Sequence, residues 1–447
     1  MLHRRDRLVL AVGVVCTVTF ASLGLLRRRD PQPVLYTVAL PQTSYGVALD
    51  TRTGRAFIAG ASLATGTGSV WVYNLRTGHL IRTLGPFSPN VEVTVIAPLQ
   101  RAFVTDSSGL VSMLDSRSGR VLGTTVAGGD PTFSAVAARH GWLVLTNPNR
   151  DSIDVVDVRT GREVRSIYLA LSATPKGVWV DDRTGHIISA NSGTHSVSVI
   201  DPTRGMVLRT VAVGISPWVV VDSRRGRVFV TTARGVLLLD ATSGRALRTI
   251  PVQVDAARVG TLTIDEHSGH AFISSTQAVS MVDTRTGRLL RTIHRPGGVV
   301  GIDDRRDWVY LWGTGGLSVL DGQTGAPIST MVGGLSADVV AISPRRRRVL
   351  VASTTPAGNM SGPAIARLVD IASGTVLWSR AVGVGPVALA LDDQAGYALV
   401  LTEGGTVKSA DPLRWLPRWA RRLPFIPAPP PAQHTIPAQM TVLDLSR

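Results

Sequence analysis

Few residues of this sequence have the type and spacing that catalysis or metal binding requires. The densest group of titratable side chains is Asp265, Glu266, His267 and His270, which fall in one predicted turn. Polar side chains are common in exposed turns, and no histidine pair stands at ligand spacing on a predicted strand. No nucleophile-elbow, phosphate-loop or dinucleotide-binding pattern occurs in a suitable context. We therefore predict no catalytic residues, no metal site and no cofactor.

The cysteine and arginine content further restricts the classes of function that the chain could have. Cys16 is the only cysteine, so the chain can form neither an internal disulfide nor a thiolate metal site. The net charge of +16 comes almost entirely from arginine, since lysine occurs only at Lys176 and Lys408. Arginine suits phosphate and carboxylate binding, although genomic composition gives the same bias. Nucleic-acid binding would follow from charge alone and is not predicted for a chain outside the cell.

One segment, at about residues 412–438, combines arginine with aromatic side chains and a proline-rich stretch. Its pattern fits a basic aromatic patch for an anionic polymer or lipid surface, a docking segment for a protein partner, or a lid packed on its own sheet. The candidate binding residues are Arg414, Trp415, Arg418, Trp419, Arg421 and Arg422.

The rest of the chain is organised by a repeat. Copies recur roughly every 40 residues, the spacing of propeller blades. Each copy reads as four short strands, which we label A to D from the predicted centre outward, with A innermost because it is apolar throughout. The turn between C and D has the pattern D-x-x-[TS]-G and starts at Asp157, Asp240, Asp283, Asp321 and Asp370, with looser copies at Asn74, Asp115 and Asp201. These features predict an all-β propeller of four-stranded blades.

The repeats resemble those of the YVTN family of β-propellers. The resemblance is carried by Ala190 to Thr232, ANSGTHSVSVIDPTRGMVLRTVAVGISPWVVVDSRRGRVFVTT, and extends in weaker form over nearly all of the chain after residue 33. It implies an extracytoplasmic binding or surface protein without a common active site. One repeat, Asp370 to Trp378, is also similar to the tryptophan-docking repeat of quinoprotein dehydrogenases, but other repeats carry Arg165, Arg248 or Arg291 at the equivalent of Trp378.

The N-terminal segment, residues 1–33, predicts a membrane anchor. An uncharged run from Leu8 to Leu26 is long enough to span a bilayer as a helix. Three arginines follow it where a cleavage site would need small residues, which favours an uncleaved signal anchor. Arginines on both sides leave the orientation undecided, and the family resemblance favours a propeller outside the cytoplasm.

The propeller itself is predicted over residues 34–447, with both termini in one blade. Val34 to Leu40 reads as a D strand without preceding A, B and C strands, and Met440 to Asp444 as a C strand without a following D strand. Nine A strands can be counted. The alternative is a ring of seven or eight blades, which would follow if the second or third repeat, where the sequence pattern is weak, does not form a blade of its own. In the last blade Val407 to Asp411 is an alternative C strand.

Strand topology places the A–B and C–D turns at one end of the ring and the B–C and D–A connections at the other. The first end is rich in arginine, including Arg224, Arg225, Arg345, Arg346 and Arg347. Because the chain enters from this end after the anchor, we predict that these arginines face the membrane. The simpler alternative is that these arginines only occupy solvent-exposed turns and contact no membrane.

The opposite end carries the longest connections, in the first, eighth and ninth units. Long loops clustered on a rigid scaffold are where binding functions usually reside. We predict a membrane-anchored, extracytoplasmic propeller that binds a protein partner or an anionic envelope polymer. The alternative is a metal-dependent hydrolase, lactonase or lyase with a site at the ring axis, where Glu92 and Asp130 are the available carboxylates.

Overall fold

The computed structural model describes residues 33–446 except 42, 63–64, 128–132, 215–216, 255–261, 296, 304, 314–315, 332–337, 355–362 and 409–432. Within this part of the chain, nine four-stranded sheets and one two-stranded sheet are present, and every strand pair is antiparallel. The predicted all-β propeller is therefore confirmed, with nine blades. The second and third units, whose assignment was open, each form a complete blade.

Strands follow the chain in the order A, B, C, D within the first eight blades. Blades one to four comprise β2 to β17: Thr43–Asp50, Arg55–Ala61, Gly68–Asn74, Leu80–Phe87; Glu92–Ile96, Arg101–Thr105, Leu110–Asp115, Val121–Val126; Ser134–Ala137, Trp142–Asn147, Ser152–Asp157, Glu163–Tyr168; Pro175–Val180, Ile187–Asn191, Ser196–Asp201, Met206–Ala212. Blades five to eight comprise β18 to β33: Val219–Asp222, Arg227–Thr232, Gly235–Asp240, Ala246–Ile250; Leu262–Asp265, His270–Ser274, Val279–Asp283, Leu289–Ile293; Gly298–Asp303, Trp308–Gly313, Gly316–Asp321, Pro327–Met331; Val339–Ser343, Arg348–Thr354, Pro363–Asp370, Val376–Val384.

The ninth blade is built from both termini, as predicted. Its strands are β34 (Pro386–Asp392), β35 (Tyr397–Thr402), β38 (Gln439–Asp444) and β1 (Val34–Ala39), hydrogen-bonded in that order. The D strand thus comes from the N-terminal end of the described chain and pairs with the last C strand. Strand β34 also contacts both β30 and β2, the A strands of blades eight and one, so the ring is closed.

The connection between β35 and β38 extends as a two-stranded hairpin. Its strands are β36 (Gly405–Lys408) and β37 (Gln433–Ile436). The C strand of blade nine is therefore β38, and the alternative assignment of Val407 to Asp411 is wrong. Residues 409–432, between the two hairpin strands, lie outside the described part of the chain.

The turn between the C and D strands contains internal hydrogen bonds to its first residue. In blade three, Asp157 Oδ1 accepts the backbone N–H groups of Arg159 at 2.9 Å and Thr160 at 2.7 Å. These bonds favour the ionised carboxylate, and the one from Thr160 is the main cause that lowers the pKa of Asp157. Gly161 then takes a positive φ of 70°, which a residue with a side chain adopts only at a cost.

The hydrophobic core is divided among the spaces between blades. Nine clusters of buried apolar side chains lie in the described residues, one between each pair of neighbouring sheets. The third residue of many B strands is a large side chain that is at most 1% exposed: Phe57, Phe103, Phe229, Phe272 and Tyr310. Each sheet thus buries its faces only by stacking on its neighbours.

The innermost strands are less buried than predicted. The A strands are central, as expected, but β6 (Glu92–Ile96) and β26 (Gly298–Asp303) are mostly half-exposed. The B strands are the fully buried ones, such as β15 (Ile187–Asn191). An A strand has a neighbouring blade on each side but faces the ring axis along one edge, so apolar composition alone overestimated its burial.

Trp378, the residue of the quinoprotein-like repeat, packs at the interface of blades eight and nine. Its side chain is 6% exposed and belongs to the same apolar cluster as Leu443 and Leu445. At the equivalent position of blades three and six, Arg165 and Arg291 instead donate to backbone carbonyls of the following blade. Tryptophan and arginine therefore perform the same task of joining one blade to the next.

The predicted anchor is not described by the structure, apart from Pro33. Among the described residues, no helix has the length and apolar character needed to cross a membrane.

Candidate functional site

The ring has two different ends. We call the end formed by the A–B and C–D turns the turn face, and the end formed by the B–C and D–A connections the loop face. The described chain begins on the turn face, where the carbonyl of Pro33 accepts the backbone N–H of Asp444 at 2.7 Å. Pro33, the last residue of the predicted anchor segment, therefore lies on the turn face.

Three equivalent arginines of the turn face connect neighbouring blades. We call Arg225, Arg306 and Arg346 the inter-blade arginines. Arg225 Nη1 lies 3.3 Å from Asp222 of its own turn and donates to the carbonyl of Glu266 in blade six at 2.9 Å.

Arg306 of blade seven repeats this arrangement, whereas Arg346 of blade eight shares only the contact with the next blade, since its own turn has Ser343 in place of the aspartate. Arg306 Nη1 contacts Asp303 at 2.8 Å and the carbonyl of Pro344 at 3.2 Å. Arg346 donates to the carbonyl of Asp393 in blade nine. The predicted membrane-facing residues Arg225 and Arg346 thus have structural partners.

The other three predicted membrane-facing arginines are exposed. Arg224 makes a long contact of 3.8 Å with Glu266, and its side chain is 62% exposed. Arg345 and Arg347 are exposed, and no side-chain partner is present for either within the described residues. The structure therefore separates the five predicted arginines into a structural pair and an exposed group.

Two cavities open on the turn face. One, of about 480 Å³, lies between blades seven and eight and is lined by Arg305, Arg306 and Arg345. The second, of about 310 Å³, lies where the ring closes between blades nine and one, with Arg52, Arg55, Arg76, Asp392 and Tyr397 among its lining residues. The first cavity is lined by arginines, and the second combines three arginines with polar and apolar residues.

The histidines of the turn face connect neighbouring turns. His270 Nδ1 is 2.8 Å from the carbonyl of Gly322 in blade seven, and His267 Nε2 is 3.8 Å from Asp307. Within the described part of the chain, no group of three or more His, Cys, Asp or Glu residues could hold a metal ion.

Glu92 is the carboxylate near the axis on which the alternative enzymatic function depends. It is half-buried, Ser134 Oγ lies 3.4 Å from its Oε1, and Ser134 also contacts Thr94 at 2.8 Å. Burial raises the pKa of Glu92, and the hydrogen bond from Ser134 opposes this. Asp130, its predicted companion, lies outside the described residues.

On the loop face, the three predicted long connections belong to neighbouring blades. The apolar clusters between blades eight and nine and between blades nine and one establish this order. In blade one, Ser62 and Thr67 are joined by a backbone hydrogen bond of 2.9 Å. The hairpin of β36 and β37 leads from blade nine to the six candidate residues between Arg414 and Arg422, which lie outside the described residues.

Sequence reasoning missed a buried polar network in blade three. Asp154 is 1% exposed and accepts hydrogen bonds from Asn147 at 3.1 Å, Ser152 at 3.0 Å and Ser166. Burial raises the pKa of Asp154 to about 6, against the opposing effect of these bonds. The available signal was an aspartate within the C strand, where the equivalent residue of blade four is Ser198.

Comparisons with known proteins support the fold. No protein-family model and no curated protein matches the sequence. Among solved structures, a eukaryotic initiation factor matches with a TM-score of 0.56 at 11% identity, over 78% of this chain and 90% of that chain. Dihydro-heme d1 dehydrogenase NirN in complex with DHE gives 0.53 at 14% identity, covering 79% of this chain and 81% of that chain.

A computationally designed protein, Ika8, gives a TM-score of 0.51 at 15% identity, over 82% of this chain and 95% of that chain. At these identities the likeness shows the propeller fold alone.

Proposed function

We propose that the protein is a membrane-anchored, extracytoplasmic β-propeller that binds a partner and does not itself catalyse a reaction. The observation that carries this proposal is the position of Pro33, the last residue of the predicted anchor segment, on the turn face. A ring tethered there presents its arginines to the lipid. The YVTN-like repeats favour the extracytoplasmic location.

The binding surface in this proposal is the sector of the loop face formed by blades eight, nine and one. Its elaborated connections lie on the side away from the membrane. The basic aromatic residues between Arg414 and Arg422 suit an anionic envelope polymer or a protein partner with an acidic surface. A rigid ring would hold the three connections at fixed positions.

An enzymatic function at the axis is the second candidate. One observation favours it, namely the half-buried Glu92 with a raised pKa, since such carboxylates occur at active sites. The neighbour NirN is named as a dehydrogenase, which makes chemistry on a propeller scaffold a reasonable comparison. Metal analysis of the purified full chain tests this candidate, because a stoichiometric divalent ion would favour it over a binding scaffold.

Topology is tested by labelling single cysteines in intact cells with a membrane-impermeant maleimide. Cys16→Ser removes the native thiol, and Thr65→Cys and Arg117→Cys then report on the loop face and the turn face. We expect Thr65→Cys to react in intact cells and Arg117→Cys to react more slowly, with equal rates in detergent. Reaction only after lysis would contradict the extracytoplasmic location. Equal rates in intact cells would contradict the orientation alone.

A further inference from the structure

Four consecutive arginines, Arg345 to Arg348, occupy the A–B turn of blade eight and the first residue of β31, and their roles alternate. Arg346 contacts Asp393 of blade nine, and Arg348 Nη1 contacts Asp370 at 3.0 Å. Arg345, which precedes Arg346, and Arg347, which lies between Arg346 and Arg348, are both exposed. The even-numbered arginines therefore support the fold, while the odd-numbered ones project their charge outward.

The carboxylate beside Arg345, that of Asp393 in blade nine, already interacts with other groups. Asp393 accepts the Ser343 hydroxyl and the Arg345 backbone N–H at 3.3 Å, and it lies 4.0 Å from Arg346 Nη1. The Arg345 guanidinium itself has no partner among the described residues.

In blade seven, too, the nearby carboxylate is paired with other groups and the exposed arginine is not. Asp303 is 2% exposed, contacts Arg306 at 2.8 Å and accepts the backbone N–H of Arg305 at 3.1 Å. The Arg305 side chain is exposed and, within the described part of the chain, unpaired. Two guanidinium groups from neighbouring blades, neither paired with another described residue, therefore border one cavity.

Arg306 fixes one side of this cavity. Its Nη1 is bonded to both Asp303 and the carbonyl of Pro344, and its guanidinium lies 5.7 Å from the centre of the Trp308 ring. These contacts hold the group without occupying all five of its N–H donors. The cavity of about 480 Å³ falls in the size range of small-ligand sites, about 300–1,000 Å³.

We propose that this cavity is a phosphate-binding site in which Arg305 and Arg345 bind the phosphate oxygens. Guanidinium groups bind phosphate through paired N–H···O bonds, and approach from two blades gives the ligand more than one pair of donors. Arg306 is a positioning residue, because it joins the two blades that carry the binding arginines. The ligand is a phosphate group, supplied either free in solution or by a lipid headgroup.

The proposal refines the proposed function by naming the chemistry of the turn face, and only the lipid source rests on that function. Inorganic phosphate is titrated into the full chain in nonionic detergent, by calorimetry at constant ionic strength because exposed charges are screened by salt. The test variant is Arg305→Gln with Arg345→Gln. The control is Arg117→Gln with Arg159→Gln, which removes the same charge from outer turns of the same face.

We expect the test variant to bind phosphate at least tenfold more weakly and the control to bind as the parent chain does. Equal weakening in the two double variants would overturn the proposal, because only net charge would then matter. Absence of phosphate binding to the parent chain would also overturn it, unless the lipid titration shows a signal that depends on Arg305 and Arg345.

The lipid titration uses micelles with and without phosphatidylglycerol. Heat that requires the anionic lipid and is lost in the test variant alone assigns the headgroup as the source. Phosphate binding without a lipid signal assigns a free phosphate compound. That result would support the phosphate-binding site and contradict the membrane-facing orientation of the turn face.

Discussion

The Arg225 guanidinium of blade five donates a hydrogen bond of 2.9 Å to the backbone carbonyl of Glu266 in blade six. The same Nη1 lies 3.3 Å from Asp222, whose side chain is fully buried. One guanidinium thus neutralises a buried carboxylate and joins two blades. Removing it would leave both acceptors without a cation.

Arg225→Gln should lower the stability of the ring by about 1–3 kcal/mol, the usual range for a hydrogen bond to a charged group with a buried partner. Arg224→Gln is the matched control, since its contact with Glu266 is longer and its side chain is mostly exposed. Denaturant unfolding of both variants measures the difference. Equal losses would mean that Arg225 contributes no more than a surface charge.

Ring closure should control the stability of the whole propeller. A chain ending at Pro437 lacks β38, whose Met440, Val442 and Leu443 are completely buried. Their burial is worth about 1.5–3 kcal/mol each, so the truncated chain should lose about 4.5–9 kcal/mol. A chain ending at Leu445 retains β38 and is the control. Thermal unfolding at the same temperature for both truncations would contradict the closing role of this strand.

The Asp154 network should make stability depend on pH in a specific direction. The folded-state pKa of about 6 lies above the ordinary value of 3.8, so folding favours the protonated carboxyl. The stabilisation is complete below pH 3.8 and is lost as the pH rises through 6, by up to roughly 3 kcal/mol.

Asp154→Ser, which copies Ser198 of blade four, should remove this part of the pH dependence. The control is Asp157→Asn, since the pKa of Asp157 is lowered and its contribution changes only at a more acidic pH. Melting temperatures measured from pH 4 to pH 7 test the prediction. A slope that survives in Asp154→Ser would assign the titration to another group.

The tryptophans of the 412–438 segment should matter for binding more than for stability. Trp415→Ala with Trp419→Ala should abolish association with isolated cell envelopes while changing unfolding free energy by less than about 0.5 kcal/mol, as for most surface substitutions. Leu171→Ala is the control, because Leu171 is an 89% exposed apolar residue of blade three. A large loss of stability with intact association would identify the two tryptophans as packing residues.

The sequence by itself determined the architecture of this protein. The D-x-x-[TS]-G turn fixes where C ends and D begins, because an aspartate such as Asp157 caps its own turn and glycine supplies the positive φ. The isolated strand patterns at the two termini, Val34 to Leu40 and Met440 to Asp444, predicted the closure because each lacked the partners that every other copy had. These signals are local or periodic, and the sequence therefore contains them.

Only the tertiary structure decided what the arginines do. Arg345 and Arg346 are neighbours of one chemical type, but one projects its charge beside a cavity and the other reaches Asp393. Similarly, Asp154 and Asp157 stand in one strand, but burial raises the pKa of the first and turn hydrogen bonds lower that of the second. Such roles depend on partners from another blade or on exclusion of water, and neither is encoded by residue type and spacing alone.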